Sequence, residues 1–469
     1  MDNLLNTVAN VGSWIWSYPL LIMIMVCGVL FSIRLGFFQI RNFTYIMGQT
    51  AGSIFKKSQG EGTVSPFQAA ATALACTVGA SNIVGVPIAI AFGGPGALFW
   101  MWVCSLLGML TKFSEIVLGM KYREKNEDGV YVSGPMYYMS KGMPNKKVGN
   151  AMAWIMSFTL MIFLPFTISA QSVSAVQSAQ AIGINGILTG AVLTIIIGII
   201  TFGGINRIAN VTDKMVPIMV IIYLIGALIV IGVNISALPG VFTMIFKSAF
   251  TGSSAMGGFT GASISAAIRW GFARGAYSTD LGMGSASMGH AAATTDHPVR
   301  QGFWGIFEVT VSGIIICTVS GLTVLCTGVW TQVPAESAGS MATIAFQSVF
   351  GQQFGGIIVS VAMLFFVVST MIVQVYYGEK QCEFFFGTKI AKYGKFIFVL
   401  SIFLGSILNL STIFAFLDLI LGIAILPHLV ALICMSGQVV ELKKEFFSDP
   451  RYYLKDIAEK KQKKKTESI

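Results

Sequence analysis

Long apolar runs separated by short polar stretches dominate the chain. A helix that crosses a bilayer takes about 20 apolar residues, and the runs read against that length predict about eleven spans. The first covers 14–32, lacks a small-residue cleavage site and reads as a retained span. It is followed by a loop holding Arg34, Arg41, Lys56 and Lys57. The second, 67–92, ends at the uncharged turn Gly93-Gly94-Pro95-Gly96. The third is 98–120, and a charged loop, 121–147, separates it from the fourth and fifth at 151–182 and 187–202. The sixth is 216–233; the seventh, 259–293, is irregular and rich in Gly, Ala and Ser. Runs at 303–329, 355–377, 396–414 and 417–435 complete the set. Glu379, Lys380, Lys389, Lys392 and Lys395 read as a loop between the ninth and the tenth.

Two of these runs are interrupted in a way that a lipid-facing helix has no use for. Thr77-Val78-Gly79-Ala80-Ser81-Asn82 sits near the middle of the second, and Gly261-Ala262-Ser263 falls in the seventh. Unwound backbone at membrane depth survives only where it lines a cavity or is buried in protein. A helix broken halfway across turns free N–H and free C=O groups toward one point, which suits an anionic group on one side and a small cation on the other. With the first span set aside, ten remain as five plus five, and an interrupted run leads each half. Corresponding broken segments in two halves point to a binding site near the midplane. Both carry Gly-Ala-Ser, but the shared position carries the argument. The pattern predicts an all-α polytopic membrane protein, one transmembrane domain over 1–469. An extra span and loop occupy 1–66, two repeats cover 67–240 and 241–440, and a basic tail follows over 441–469.

Charge adds orientation. Only 11% of the 469 residues are charged and mean hydropathy is +0.76, against roughly 25% charged residues in soluble domains. A net charge of +10 would suggest a nucleic-acid partner in a soluble protein. Here Lys and Arg gather in alternate loops, so membrane topology explains them and no nucleic acid is expected. Those loops follow the odd-numbered spans, which places the N-terminus outside the cell membrane and the C-terminus in the cytoplasm. The run Lys460-Lys461-Gln462-Lys463-Lys464-Lys465 reads as a tail touching anionic lipid headgroups. Seven cysteines without C-x-x-C spacing read as small buried hydrophobes. Neither H-E-x-x-H nor G-x-x-x-x-G-K occurs, so no catalytic residue and no organic cofactor are expected. A passive channel needs a continuous polar lining, whereas polarity here gathers at two breaks.

The chain resembles the sodium:alanine/glycine symporters, amino acid carriers with the inverted-repeat fold of LeuT. The resemblance rests on Phe67-Gln68-Ala69, the run Gly79-Ala80-Ser81-Asn82-Ile83-Val84-Gly85-Val86, and Gly93 through Trp102. Thr111-Lys112, Gly134-Pro135-Met136-Tyr137-Tyr138, Thr295 through Gln301 and Tyr376 through Lys380 extend it over nearly the whole chain. It implies Na⁺ as coupling ion and a small neutral amino acid, seated between the two broken helices, as substrate. Where the family usually has Gly-Thr-Gly-Asn, this chain has Gly79-Ala80-Ser81-Asn82, and backbone N–H groups of Ala80, Ser81 and Asn82 would hold the substrate carboxylate. Gly261, Ala262 and Ser263 would face it from the second break. Gln171 matches a glutamine that reaches the amino acid in relatives; a helix–helix hydrogen bond is the plainer alternative.

Ser369 and Thr370 match the hydroxyl pair that, with the carbonyls of Ala75 and Val78, would surround Na⁺; a hard cation takes oxygen ligands. Their plainer role is a bond to their own helix one turn back. Val373-Gln374 stands where relatives have Gly-Trp, a change that enlarges and polarises the pocket and favours a larger or polar neutral amino acid such as glutamine or serine. Thr279-Asp280-Leu281 replaces Asn-Glu-Ala, and Ser312 stands where many relatives have Asp, which leaves ion contacts there open.

Lys112, Glu115, Arg269, Arg274, Asp280, Glu308 and Asp418 lie in or near spans. An ionisable group in hydrocarbon costs a few kcal/mol, so these are expected to pair in the interior or snorkel from the cytoplasmic ends. Glu308 is the deepest. His290, His297 and His428 lack metal-ligand spacing, and His297, before Pro298, reads as a turn element.

Overall fold

The computed structural model describes residues 7, 11–12, 14–16, 18–56, 58–251, 263–407 and 410–457, without the side chains of 410–416 and 418. Asp418 therefore falls outside the described side chains.

Helix α1 (Pro19–Arg34) leads through short helical turns to a polar segment before α2 (Pro66–Thr77). A capping box sets the start of α2. Ser65 Oγ accepts the Gln68 N–H at 3.1 Å, Gln68 Oε1 accepts the Ser65 N–H at 3.1 Å, and Pro66 opens the first turn. The helix stops where Val78 turns extended (φ −89, ψ 94). A π-helical turn (Ser81–Gly85) and α3 (Val86–Gly93) continue at 51° to α2. Next comes α4 (Gly96–Lys121) and a hairpin, β1 (Glu124–Lys125) antiparallel to β2 (Tyr131–Val132), with Glu124 opposite Val132. A short helix, Pro135–Gly142, then precedes α5 (Lys146–Gln180), so the segment expected as a plain loop is structured. Helices α6 (Gly186–Phe202), α7 (Gly204–Val233) and α8 (Leu238–Thr251) follow.

Beyond the undescribed 252–262 lie α9 (Ile264–Thr279), α10 (Ser285–His290) and α11 (Pro298–Val309). A second π-helical turn (Thr310–Ile316) joins α11 to α12 (Cys317–Cys326). The chain closes with α13 (Met341–Phe350), α14 (Gln352–Gly405) and α15 (Leu410–Ser448). Among the described residues, seven helices are long and apolar enough to cross a membrane, and the bent pair around Val78 adds an eighth. Gly186–Phe202 and Ile235–Thr251 are apolar but shorter.

Two features differ from the sequence reading. The acidic and basic residues expected in a loop after the ninth span lie inside α14, whose 54 residues are interrupted only at Gly387 (φ 76, ψ 170). Lys389 and Lys392 are exposed, and the buried ones are tolerated because they pair with opposite charges. Lys380 Nζ sits 2.5 Å from Glu383 Oε2, and Lys395 Nζ sits 2.8 Å from Glu379 Oε2, all buried. The second feature is a break within the seventh run that the sequence reading did not place. Gly261 and Ala262 lie outside the described residues, and Ser263 is the exposed N-cap of α9, its Oγ accepting the Ala266 N–H at 3.2 Å. Among the described residues an interruption comes at the other end of α9, through Asp280 (φ 50), Gly282 (φ 76) and Gly284 (φ 70). Left-handed backbone at three positions within five residues cannot continue a helix.

Packing brings the breaks together. Gly271 and Gly275, four apart on α9, let it press onto α4; a Cβ at Gly271 would lie 2.6 Å from the Ala97 carbonyl oxygen. The strand-like segment before α2 is stitched to the one after α10. Thr63 N–H donates to Ala292 O at 2.7 Å and Thr294 N–H to Val64 O at 2.8 Å. Across the molecule, Ser169 and Ser172 on α5 donate to the α14 carbonyls of Ser401 and Ile402 at 2.9 and 2.6 Å. His297 caps α11 as expected, its Nδ1 accepting the Val299 N–H at 3.1 Å. Burial holds that imidazole below its ordinary pKa, which keeps the acceptor nitrogen free of a proton.

Candidate functional site

A cavity of about 490 Å³ opens between the two breaks, α5 and α14. Its wall includes Cys76, Gly79, Ala80 and Ser81 from the first break, Arg274 and Asp280 from α9 and the second, Gln171 from α5, and Thr370 and Gln374 from α14. Of the residues singled out in the sequence, it gathers Gly79, Ala80, Ser81, Gln171 and Gln374, with Thr370 from the expected ion site. Ser263 is not on it.

The first break has a donor end and an acceptor end. Val78 N–H closes the last turn of α2 on Leu74 O at 2.7 Å, so the carbonyls of Ala75 to Val78 have no ladder donor. On the other side, Gly79 N–H is taken by Asn82 Oδ1 at 3.0 Å and Asn82 N–H by Gly79 O at 3.1 Å. The N–H groups of Ala80 and Ser81 are left at the head of the next helical segment, where an anion is favoured. Asn82 departs from the sequence expectation. It is fully buried off the cavity wall, and its N–H is already used. Its amide instead donates to the carbonyls of Ser278 on α9 at 3.2 Å and Ser312 at 3.3 Å, holding both π-helical turns and α9 to one point.

At the acceptor end, Thr370 Oγ1 donates to Ala75 O at 3.0 Å and Ser369 Oγ approaches it at 3.4 Å. Both hydroxyls also lie within bonding distance of Phe366 O on their own helix, at 2.8 and 2.9 Å. The two readings of these hydroxyls thus coexist. Each proton serves one carbonyl and the oxygen lone pairs remain. Three neutral oxygens from two helices, with Val78 at the adjoining helix end, make a donor set that fits a small hard cation.

Two glutamines face the cavity with spare acceptors. Gln171 Oε1 is buried without a hydrogen-bond partner, so the helix–helix bond considered from sequence is not what occupies it. Gln374 donates weakly to Thr167 Oγ1 at 3.5 Å, and its Oε1 is likewise unpartnered. Unsatisfied buried acceptors on one wall mark where a donor-bearing ligand gains most.

The sequence reading missed what holds the breaks. Lys112 on α4 is fully buried, with no snorkelling path. Its ammonium donates to Thr77 Oγ1 at 3.1 Å and Thr279 O at 2.9 Å, the last turns of α2 and α9, and sits 3.5 Å from Glu308 Oε2. A cation at two helix C-termini complements both dipoles. Glu308 is held in turn by His290 Nε2 at 2.5 Å, and Gln301 Nε2 donates to His290 Nδ1 at 2.7 Å, which leaves the ring proton on Nε2. One turn along α4, Glu115 Oε1 accepts the Gly282 N–H at 3.1 Å, while His428 Nδ1 on α15 donates to Gly282 O at 2.7 Å. Side chains therefore satisfy the unwound peptide, the condition for keeping it at membrane depth. Of the expected ion pairs, that of Lys112 is present among the described residues. Glu115 binds backbone, and the Arg274 guanidinium stacks over Trp270 and Tyr277 at 5.4 and 5.8 Å. The 112/115 spacing on one helical face was the available signal.

Comparison with known proteins settles the family. The model of the sodium:alanine symporter family matches residues 1–463. The chain belongs to that family. YflA of Bacillus subtilis (strain 168), described as an uncharacterized transporter, is 45% identical over 465 residues, covering 99% of this chain and 98% of its own length. The sodium/alanine symporter AgcS of Methanococcus maripaludis is 36% identical, covering 94% and 96%. GlnT of Bacillus subtilis, a probable sodium/glutamine symporter, is 32% identical, covering 97% and 95%. Among solved structures, a manganese transporter of Eremococcus coleocola superposes with a TM-score of 0.50 at 12% identity, over 84% of this chain and 82% of that one. That likeness concerns the fold alone. This symporter-family chain is a multi-pass membrane protein with its polar chemistry at two helix breaks.

Proposed function

We propose that this symporter carries one Na⁺ and one neutral amino acid into the cell together, by alternating access. The observation that carries the reading is the convergence at the first break. Thr370 lines the cavity and also holds the carbonyl end of α2, so an ion at Ala75, Val78, Ser369 and Thr370 stabilises the same break whose N–H end meets the substrate carboxylate. Membership of the sodium:alanine symporter family supports the ion and the substrate class. The span count of eleven, with an extra first helix and a LeuT-like five-plus-five core over 67–240 and 241–440, belongs to this proposal, Gly387 dividing the ninth from the tenth. So do an N-terminus outside and a C-terminus in the cytoplasm.

One ion suffices. A tenfold gradient supplies about 1.4 kcal/mol and 100 mV about 2.3 kcal/mol per charge, enough for roughly 500-fold accumulation. Counterflow in proteoliposomes tests the reading. Labelled alanine uptake that requires Na⁺ and saturates is the expected result, and uptake indifferent to Na⁺ refutes it.

A larger or polar substrate, glutamine or serine, is the second reading. It is favoured by the free acceptors of Gln171 and Gln374 and by a glutamine carrier among the relatives. A side-chain amide would donate to those oxygens, each such bond worth about 1 kcal/mol. The variant Gln374→Trp is then expected to shift the preference for alanine over glutamine about tenfold, read by competition for labelled alanine uptake. An unchanged ratio removes Gln374 from the selectivity wall.

A further inference from the structure

We infer that Asp280 is the group that recognises the substrate's ammonium, so that the amino acid is held at both charged ends, one at each helix break. This rests on the symport reading above and assigns a residue to it.

Asp280 ends α9 in left-handed backbone (φ 50), and its side chain lies on the cavity wall. It is 9% exposed, and its partners are weak: Ser285 Oγ at 3.5 Å and the Cys76 thiol. Among the described residues no Lys, Arg or His nitrogen lies within 4.0 Å of its carboxylate. The charge of Lys112 reaches Asp280 without contact, its ammonium being held by Thr77, Thr279 and Glu308. Arg274, also on the wall, lies over Trp270 and Tyr277 with its Nε unpartnered, and makes no ion pair with Asp280. A carboxylate buried at membrane depth with no cation in contact is a place for one to bind.

Position says which cation. Asp280 meets Cys76, on the carbonyl end of α2, whereas the free N–H groups of Ala80 and Ser81 belong to the opposite end of the same break. An α-amino acid carries ammonium and carboxylate on one carbon, so a single ligand in this cavity can meet both groups. For alanine, which has no side-chain donor, the unpartnered Oε1 atoms of Gln171 and Gln374 on the same wall are left as acceptors for the remaining ammonium protons. The second interruption thereby gains a chemical purpose: it turns a carboxylate, instead of another helix end, toward the ligand.

Asn tolerates left-handed backbone, so Asp280→Asn keeps the fold while removing the charge, and Asp280→Ser serves if Asn does not insert. Alanine binding to purified protein is measured at saturating Na⁺, with Na⁺-induced thermal stabilisation as the check on folding. The charge moved per alanine is read from reversal potentials in proteoliposomes. The expected result is a loss of alanine affinity of at least thirtyfold in Asp280→Asn, substantial recovery in Asp280→Glu, and unchanged charge per alanine wherever flux is measurable. Retained affinity in Asp280→Asn overturns the inference. So does a wild type moving two charges per alanine and a variant moving one, which makes Asp280 a ligand of a second Na⁺. If the wild type itself neither binds nor carries amino acids, the symport reading fails instead.

Discussion

Lys112→Met abolishes transport, with uptake falling below about 1% of wild type at equal membrane content. Removing one partner of a buried ion pair costs about 3–5 kcal/mol, because Glu308 is left buried with its cation gone and only His290 Nε2 beside it. The loss goes beyond stability. The Lys112 ammonium is the one described contact that donates to the ends of both α2 and α9. Without it the last turns of the two broken helices keep their dipoles but lose the cation between them. Adding Glu308→Gln removes the orphaned charge, so the double variant recovers thermal stability without recovering uptake, a coupling that a double-mutant cycle measures. Uptake within threefold of wild type in the single variant would exclude Lys112 as the strut between the breaks.

Thr370→Val combined with Ser369→Ala moves the Na⁺ activation curve to the right by at least about tenfold, each lost oxygen ligand contributing about 1 kcal/mol or more. Thr370 carries more of the shift, since its hydroxyl is closer to Ala75 O, 3.0 against 3.4 Å. The measurement is initial alanine uptake against external Na⁺ at fixed membrane potential. Maximal rate at saturating Na⁺ stays within a few-fold of wild type, which separates an ion-site defect from misfolding. A double variant with unchanged half-saturating Na⁺ places the coupling ion elsewhere.

The first break was legible because Gly79, Ser81 and Asn82 are polar or small inside an otherwise apolar run, a contrast that needs no tertiary knowledge. The second was harder. The glycine-rich stretch around Gly261 offers a louder compositional signal than Asp280-Leu281-Gly282-Met283-Gly284, yet the described interruption is the latter, where three residues take positive φ. What stabilises that interruption comes from Glu115 on α4 and His428 on α15, far off in sequence. The acidic and basic groups of α14 misled in the same way. Glu379 and Lys395 look like loop residues one at a time and become helix interior once each finds the other at 2.8 Å. Asn82 was assigned to the ligand by its place in the motif, while its amide was needed for Ser278 and Ser312. Gln171, Ser369 and Thr370 were picked out by resemblance to the family's pattern, and Gln374 by its departure from it.

The stitch joining 63–64 to 292–294 is made of main-chain atoms. Peptide hydrogen bonds do not slide by fractions of a residue, so the Ser65 end of α2 and the His290 end of α10 form a single rigid jaw. Whatever swings to release cargo must hinge around that jaw, and deuterium should enter the Thr63 and Thr294 amides slowly in every stage of the transport cycle.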